Sequence, residues 1–151
     1  FRSAPKPATW IEHPPSGMGR VANYTVPGRD GNEAAHVVVY YFGPQQGGDI
    51  ESNIERWQHQ FRTEPDGTLP EPIVESFETG GMPVTVVELA GDWMKMGQSW
   101  YTKDQLFIAA IVETTEGNVF IRFAGQTATV EGNRQAFTDM VKGLRRAGPS
   151  A

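Results

Sequence analysis

The side chains with the clearest potential for binding lie between residues 47 and 61, which read GGDIESNIERWQHQF. If this segment is helical, Asn53, Arg56 and Gln60 occupy positions i, i+3 and i+7, and their side chains project in one direction. A guanidinium between two amides suits a carboxylate or a backbone segment. The pattern therefore predicts a binding surface along one flank of a helix. The alternative is a solvated flank whose amides tie down neighbouring loops.

A second candidate surface lies in the segment 91–103, GDWMKMGQSWYTK, which mixes large apolar residues with turn residues and shows no period. Tryptophan, tyrosine and methionine are enriched at protein interfaces. We therefore add Trp93 and Trp100, together with Arg20, to the predicted contact surface. Two alternatives are a loop that folds over the core as a lid, and a copper(I) site at the thioethers of the two methionines in the segment.

The residues that usually perform catalysis or bind metals are dispersed along the chain. The three histidines, His13, His36 and His59, have none of the spacings HxH, HxxxH or HExxH. No serine lies in a GxSxG motif, and the absence of cysteine excludes thiolate chemistry. The two glycines before Asp49 lack the Lys-Ser/Thr pair of a phosphate loop. We expect no catalytic set, no metal and no cofactor.

Composition places the chain among single-domain globular proteins. It has 151 residues, of which 38% are hydrophobic and 21% are charged, and its net charge is −5. A domain of this length can bury a self-sufficient core. The acidic balance disfavours nonspecific binding to nucleic acid and to anionic membranes. No apolar run approaches the roughly 20 residues of a membrane-spanning helix.

The first nine residues are rich in Pro, Ala and Ser and have no periodicity. We interpret residues 1–9 as a flexible tether and residues 10–148 as a single domain. The sequence begins with Phe1, which is typical of a processed product. The prediction is an exported protein, periplasmic or associated with the cell envelope, with a lipid anchor on a preceding segment. The alternative is a trimmed piece of a cytosolic protein.

The segment 35–42, AHVVVYYF, gives the strongest strand signal in the chain. Val, Tyr and Phe favour pleated backbone, and both faces of this strand are apolar. A strand of this kind belongs in the middle of a sheet that is covered on both sides. Further strands are predicted at residues 20–26, 74–79, 83–90, 106–114 and 119–125.

Two amphipathic helices complete the predicted elements. The first runs from residue 49 to residue 62, begins at the N-cap Asp49 and places four apolar residues on one narrow face. The second runs from residue 130 to residue 146, with Thr129 as its N-cap. Two arginines, Arg145 and Arg146, suit the negative end of the second helix.

The predicted order of elements is therefore β, β, α, β, β, β, β, α. Because the strands follow one another in hairpins, we expect the sheet to be mostly antiparallel. Its two apolar faces need cover on both sides, which two helices and long loops can provide. The predicted fold class is α+β, with a mostly antiparallel sheet sandwiched between helices in α/β/α layers.

The succession of strands, the pattern GG-x4-N-x2-RW-x2-Q and the closing hairpin and helix resemble a group of uncharacterised bacterial exported proteins and lipoproteins. The residues that match the pattern are Gly47, Gly48, Asn53, Arg56, Trp57 and Gln60. The fold of this group is that of the photosystem II extrinsic protein PsbP and the Ran-binding Mog-type proteins. The resemblance covers the chain from about residue 10 to residue 144. It implies a PsbP-like antiparallel sheet between helices, and roles in binding rather than catalysis.

The sequence therefore predicts a non-catalytic binding or interaction domain of the bacterial cell envelope. Its partner is an unknown protein or a small anionic ligand, and the chain is a monomer or a dimer. One alternative is a small enzyme whose site is assembled from dispersed residues such as His13, Arg20 and Arg56. Another is a structural subunit that dimerises through a sheet edge or the 91–103 segment. The predicted contact surface consists of Arg20, Asn53, Arg56, Gln60, Trp93 and Trp100.

Overall fold

The centre of the fold is one antiparallel sheet of eight strands. The computed structural model describes residues 7, 9–17, 19–44, 47–64, 66–95 and 97–144. The strands are β1 (Ile11–His13), β2 (Arg20–Val26), β3 (Ala35–Tyr41), β4 (Phe61–Arg62), β5 (Ile73–Thr79), β6 (Met82–Trp93), β7 (Thr102–Thr114) and β8 (Gly117–Gln126). The helices are α1 (Ile50–Gln58), α2 (Thr127–Gly132) and α3 (Arg134–Lys142). The strand order is β1-β2-β3-β8-β7-β6-β4, and β5 also pairs with β6.

The strand β3 lies in the interior of the sheet, as its two apolar faces predict. It pairs with β2 on one side and with β8 on the other. Val37, Val38 and Val39 are each at most 6% exposed, so both faces of the strand are covered. The strand ends at Tyr41, one residue before the predicted end, and Phe42 beyond it is exposed.

Side chains alternate across the sheet into two separate apolar clusters. Along β7, Leu106 and Ile108 join one cluster, whereas Phe107 joins the other. The first cluster contains Phe137 of α3, and the second contains Trp57 of α1. The helices therefore pack against opposite faces of the sheet, and the chain has the broad α+β architecture that its sequence predicts. None of the described helices is long and apolar enough to cross a membrane.

The helix α1 is shorter than the predicted helix of residues 49–62. Asp49 is its N-cap, as predicted, because the carboxylate accepts a 2.7 Å hydrogen bond from a backbone N–H of the first turn. The helix ends after nine residues, and Phe61 and Arg62 form β4 against the end of β6. The prediction was wrong for these residues because Phe61 stacks on Trp93, with ring centroids 5.7 Å apart. Trp93 is distant from Phe61 in the sequence, so the local pattern does not reveal this contact.

The predicted C-terminal helix of residues 130–146 is two helices, α2 and α3, which are separated at Asn133. The break follows Gly132, a poor helix former. Thr129 is not an N-cap, because it lies within α2 and its hydroxyl donates a 2.5 Å hydrogen bond to the carbonyl oxygen of Glu33. The two arginines predicted at the end of this helix lie outside the described residues.

The segment 91–103 is divided among three elements. Its first three residues complete β6 and its last two begin β7, so only the residues between them form a loop. Trp93 is 2% exposed and belongs to the core, whereas Trp100 on the loop is 59% exposed. The segment is therefore part core and part surface. Of the predicted tether, only residues 7 and 9 lie within the described residues.

Candidate functional site

Asn53 anchors the turn that leads into α1. Its side chain is 1% exposed, and its amide donates 2.8 Å hydrogen bonds to the carbonyl oxygens of Gly47 and Asp49. Its own oxygen accepts a hydrogen bond from the Arg56 guanidinium. Gly47 has a φ of 91°, and an added Cβ would lie 2.8 Å from the ring of Phe120. The turn therefore requires glycine at this position and an amide at Asn53.

Gln60 holds Trp93 in place from the end of α1. The Trp93 indole N–H donates a 2.9 Å hydrogen bond to the Gln60 side-chain oxygen. The same indole packs edge-to-face against Phe107, with ring centroids 5.7 Å apart. Both amides of the predicted flank, Asn53 and Gln60, thus tie down neighbouring segments. Arg56 remains exposed, and its role in binding stays a prediction.

Five side chains on the α1 face of the sheet alternate between cations and aromatic rings, and we call them the cation ladder: Arg20, Tyr40, Arg122, Trp93 and Lys95. The guanidinium carbon of Arg20 lies 5.7 Å from the Tyr40 ring centroid. The guanidinium carbon of Arg122 lies 5.4 Å from the Tyr40 centroid and 5.7 Å from the Trp93 centroid. The Lys95 ammonium lies 5.4 Å from the Trp93 centroid. These distances fit cation–π contacts.

Strand register brings the cation ladder together from distant parts of the chain. Arg20 on β2 pairs with Tyr40 on β3, and Arg122 on β8 pairs with Val38 on β3. Residues two apart on a strand point to the same face, so these side chains share the face that carries α1. The end of β6 adds Trp93, and the residues just after it add Lys95.

Among the described residues, no carboxylate forms an ion pair with the cation ladder. All 18 acidic side chains belong to the described part of the chain. The ion pairs there join Lys103 to Glu64, and Arg134 to Glu88 and Glu131. They include no cation of the ladder. A partly buried charge without a counter-charge is costly, which makes the cation ladder the candidate site of this fold.

The titration of the ladder groups reflects this concentration of positive charge. Burial lowers the pKa of Arg122, the Tyr40 side chain opposes that effect, and the charge of Arg20 adds to it. Burial also lowers the pKa of Lys95, and the charges of Arg122 and Arg20 lower it further. Both side chains nevertheless remain cationic at neutral pH, because their ordinary pKa values are far above 7.

His36 lies beside the cation ladder on the same face of β3. Partial burial lowers its pKa, and the positive charges of Lys95, His13, Arg122 and Arg20 lower it further. None of these influences comes from a carboxylate. His36 is therefore a group of this region whose protonation depends on the charge around it.

The sequence analysis named two of the five ladder residues, Arg20 and Trp93. It missed Tyr40, Lys95 and Arg122, which come from three separate segments. Arg122 does leave a signal in the sequence, because it is a single cation in a strand that is otherwise apolar, VFIRFAG. The other predicted aromatic contact residue, Trp100, lies on the exposed loop that follows the ladder.

A cleft of about 150 Å³ lies on the opposite face, between α3 and the strands β5 and β6. Its floor is apolar, and its rim carries Glu88 and Arg134, which form a bidentate ion pair at 2.6 and 2.9 Å. Ligand pockets are usually about 300–1,000 Å³. The cleft is therefore small, and its main charged groups already neutralise each other.

His13 and Thr25 form a hydrogen bond of 2.7 Å between the imidazole Nε2 and the hydroxyl oxygen, at the exposed β1–β2 edge. This is the kind of contact that the enzyme alternative requires, although no carboxylate bonded to His13 orients the ring among the described residues. The described residues contain no group of three His, Asp or Glu side chains suited to a metal. Met96, part of the copper alternative, lies outside them.

Comparison with known proteins yields a likeness of fold. No protein-family model matches the chain, and no curated protein matches its sequence. A solved structure from Pseudomonas aeruginosa, PA94, is similar with a TM-score of 0.63 and 11% sequence identity. The match covers 89% of this chain and 87% of PA94, which is described as a protein of unknown function and suggested to be a regulator. At this identity the likeness extends to the fold alone.

Proposed function

We propose that this chain is a non-catalytic binding domain of the bacterial cell envelope, and that it holds an anionic ligand on the cation ladder. The observation that carries the proposal is Arg122, a partly buried guanidinium near two aromatic rings that has no carboxylate partner among the described residues. Arginine stays charged in proteins. A bound anion would supply the missing counter-charge.

The surroundings of Arg122 suit recognition of an anion. The guanidinium carbon of Arg122 lies within cation–π distance of the Tyr40 and Trp93 rings. The Arg122 side chain also hydrogen-bonds to Tyr40, and its remaining N–H groups are the donors that we assign to the anion. Arg20 and Lys95 add positive charge on either side. Charge-assisted hydrogen bonds to such a cluster are roughly twice as strong as neutral ones. The ladder therefore favours an anion even though the whole protein is acidic.

The cell-envelope location rests on the resemblance to exported bacterial proteins, which matches the Gly47–Gln60 segment. The same resemblance supports a PsbP-like version of the α+β fold. The antiparallel sheet, with helices against opposite faces, is compatible with that fold. Arg56 and Trp100, which are exposed near α1 and on the β6–β7 loop, extend the proposed contact surface if the anion belongs to a larger partner.

Isothermal titration with simple anions at low ionic strength tests the proposal. The wild-type protein should bind sulfate, and Arg122→Met should weaken that binding about tenfold or more, because one strong charge-assisted contact is lost. Lys103→Gln is the matched control, since it removes one positive charge from an exposed ion pair with Glu64. Equal binding by wild type and Arg122→Met would refute the proposal.

A small hydrolytic enzyme is the second candidate, because His13 and Thr25 form a hydroxyl–imidazole pair. General-base activation of a hydroxyl needs such a contact. The discriminating measurement is hydrolysis of activated esters by the wild type and by Thr25→Val. A rate above background that the substitution abolishes would favour the enzyme over the binding domain.

A further inference from the structure

Building on the proposed function, we infer that the ligand is a compact oxyanion with at least two negative charges, and that His36 takes up a proton when it binds. Both parts concern the same site. The first identifies the class of ligand, and the second identifies how pH regulates its affinity.

The charge requirement follows from the number of cations in the ladder. Arg20, Lys95 and Arg122 are permanently positive, and no carboxylate of the described residues is paired with them. A monovalent anion would neutralise one of three charges and leave the others repelling each other. A divalent oxyanion neutralises more, and its several oxygens can accept hydrogen bonds from donors that approach from different sides.

The requirement for a compact ligand follows from the elements that supply the hydrogen-bond donors. Arg20 comes from β2, Arg122 from β8 and Lys95 from the residues after β6. Arg20 and Arg122 flank the same ring, Tyr40, and Lys95 and Arg122 flank the same ring, Trp93. Donors from three elements thus surround a short stretch of the sheet, which suits a compact ligand centred on Arg122.

The expected uptake of a proton follows from the position of His36 in the sheet. It pairs with Thr25 on β2 and with Ala124 on β8, and both of these neighbours are uncharged. The Thr25 hydroxyl bonds to His13. The charged groups that face His36 from the surrounding elements are Lys95, His13, Arg122 and Arg20. All of them oppose its protonation in the free protein.

A bound divalent anion reverses the sign of the local field. In the free protein the pKa of His36 is below its ordinary value, so the imidazole is neutral at pH 7. In the complex, the anion favours the imidazolium and raises that pKa. A group whose pKa is higher in the complex strengthens binding at low pH. The gain in affinity is full at pH values below the pKa that His36 has in the free protein. It is lost as the pH rises through the pKa that His36 has in the complex.

Sulfate and methanesulfonate provide a matched test of charge. They share the tetrahedral oxyanion chemistry, carry two charges and one charge respectively, and do not titrate near neutral pH. We expect sulfate to bind about tenfold more tightly or better, which corresponds to one additional strong charged contact. Malonate and acetate, compared at a pH where both are fully ionised, repeat the comparison for carboxylates. Comparing the affinity for inorganic phosphate with that for malonate then shows whether the site prefers a phosphoryl or a carboxylate ligand.

Proton uptake is measured by titrating sulfate in two buffers with different ionisation enthalpies, at pH values on either side of about 6.5. The wild type should take up a fraction of a proton and bind more tightly at the lower pH. His36→Gln should still bind sulfate at high pH but should lose both the proton uptake and the pH dependence. His59→Gln should retain them, since His59 is not among the groups whose charge acts on His36.

The outcomes separate this inference from the proposed function. If methanesulfonate binds as tightly as sulfate, or if sulfate binds without a His36-dependent proton, the inference is overturned. The proposed function would survive that result as long as Arg122→Met abolished anion binding. If Arg122→Met left sulfate binding unchanged, both would fall.

Discussion

Under the proposed function, the stability of the fold and the binding of an anion make opposite demands on Arg122. It is a cation in an otherwise apolar strand, and burial disfavours its charged form. Replacing buried charge by an apolar side chain of similar length often stabilises a protein. We expect Arg122→Met to raise the free energy of unfolding, measured by urea denaturation without added anions, by about 1 kcal/mol.

The same measurement distinguishes a binding role from a structural one. If the cation ladder served only to hold Tyr40 and Trp93 in place, Arg122→Met would lower the free energy of unfolding. A stabilised variant that has lost anion binding would show that the guanidinium is retained for the ligand.

Asp49 contributes a pH-dependent hydrogen bond at the start of α1. The Ser52 backbone N–H and side chain lower the pKa of its carboxyl below the ordinary value. A lowered folded-state pKa stabilises the fold above the unfolded-state value, and this stabilisation is lost as pH falls through the folded-state pKa. We expect Asp49→Ala to lower the thermal midpoint at neutral pH.

Asp49→Asn keeps the cap, because an amide oxygen also accepts the Ser52 hydrogen bond. Its thermal midpoint should stay close to that of the wild type at neutral pH and should decline less between about pH 5 and pH 2. An equal decline in both proteins would show that Asp49 does not cause this part of the acid sensitivity.

At the scale of elements, Trp57 is the buried aromatic side chain that packs α1 against the sheet. Trp57 is 7% exposed and contacts Phe107 and Phe120, with ring centroids 5.4 and 6.4 Å away. Removing a buried aromatic ring costs about 3–5 kcal/mol, so Trp57→Ala should destabilise the fold by that amount in chemical denaturation. Trp100→Ala is the control, because Trp100 is exposed and its loss should change stability by less than about 0.5 kcal/mol.

The junction of β4 and β6 depends on a glycine. Gly91 has a φ of 144°, and an added Cβ would lie 2.7 Å from the carbonyl oxygen of Arg62. Gly91→Ala should therefore lower the free energy of unfolding by more than about 1 kcal/mol. Gly132→Ala provides the opposite control, since space is open around that helical position and alanine should stabilise it by about 0.5 kcal/mol.

The elements show where local sequence is a sufficient guide and where it is not. The strand β2 has the predicted bounds, and β3 differs by one residue, because alternating β-branched and aromatic residues specify pleated backbone locally. The end of α1 and the break between α2 and α3 were mispredicted. The contact of Phe61 with Trp93 joins residues far apart in the chain, whereas the break between the two helices follows a single glycine, Gly132, inside an otherwise helical pattern.

At the scale of the whole molecule, anion binding should raise the stability of the folded protein. A ligand that binds only the folded state adds about 2.7 kcal/mol when its concentration is 100 times the dissociation constant. Sulfate should therefore raise the thermal midpoint of the wild type more than that of Arg122→Met. Because sulfate also stabilises proteins by exclusion from their surfaces, the difference between the two proteins is the informative quantity.

The net charge of the protein and the local charge of the cation ladder lead to opposite expectations about the binding of anions. The overall charge of −5 disfavours anions at long range, whereas the cation ladder favours them at contact. Short-range interactions in a partly desolvated site outweigh a diffuse field that salt screens over about 8–10 Å. The proposed preference for an anion therefore rests on the distribution of charge rather than on its total.

The sequence by itself determined the fold class, the central position of β3 and the cap of α1, because these depend on local pattern and on the burial of apolar faces. It also identified Arg20 and Trp93 as candidates. Only the tertiary structure decided which residues form the site. Strand register sets Arg122 between Tyr40 and Trp93, where no carboxylate of the described residues pairs with it. Register depends on pairing between segments that a single sequence leaves unspecified.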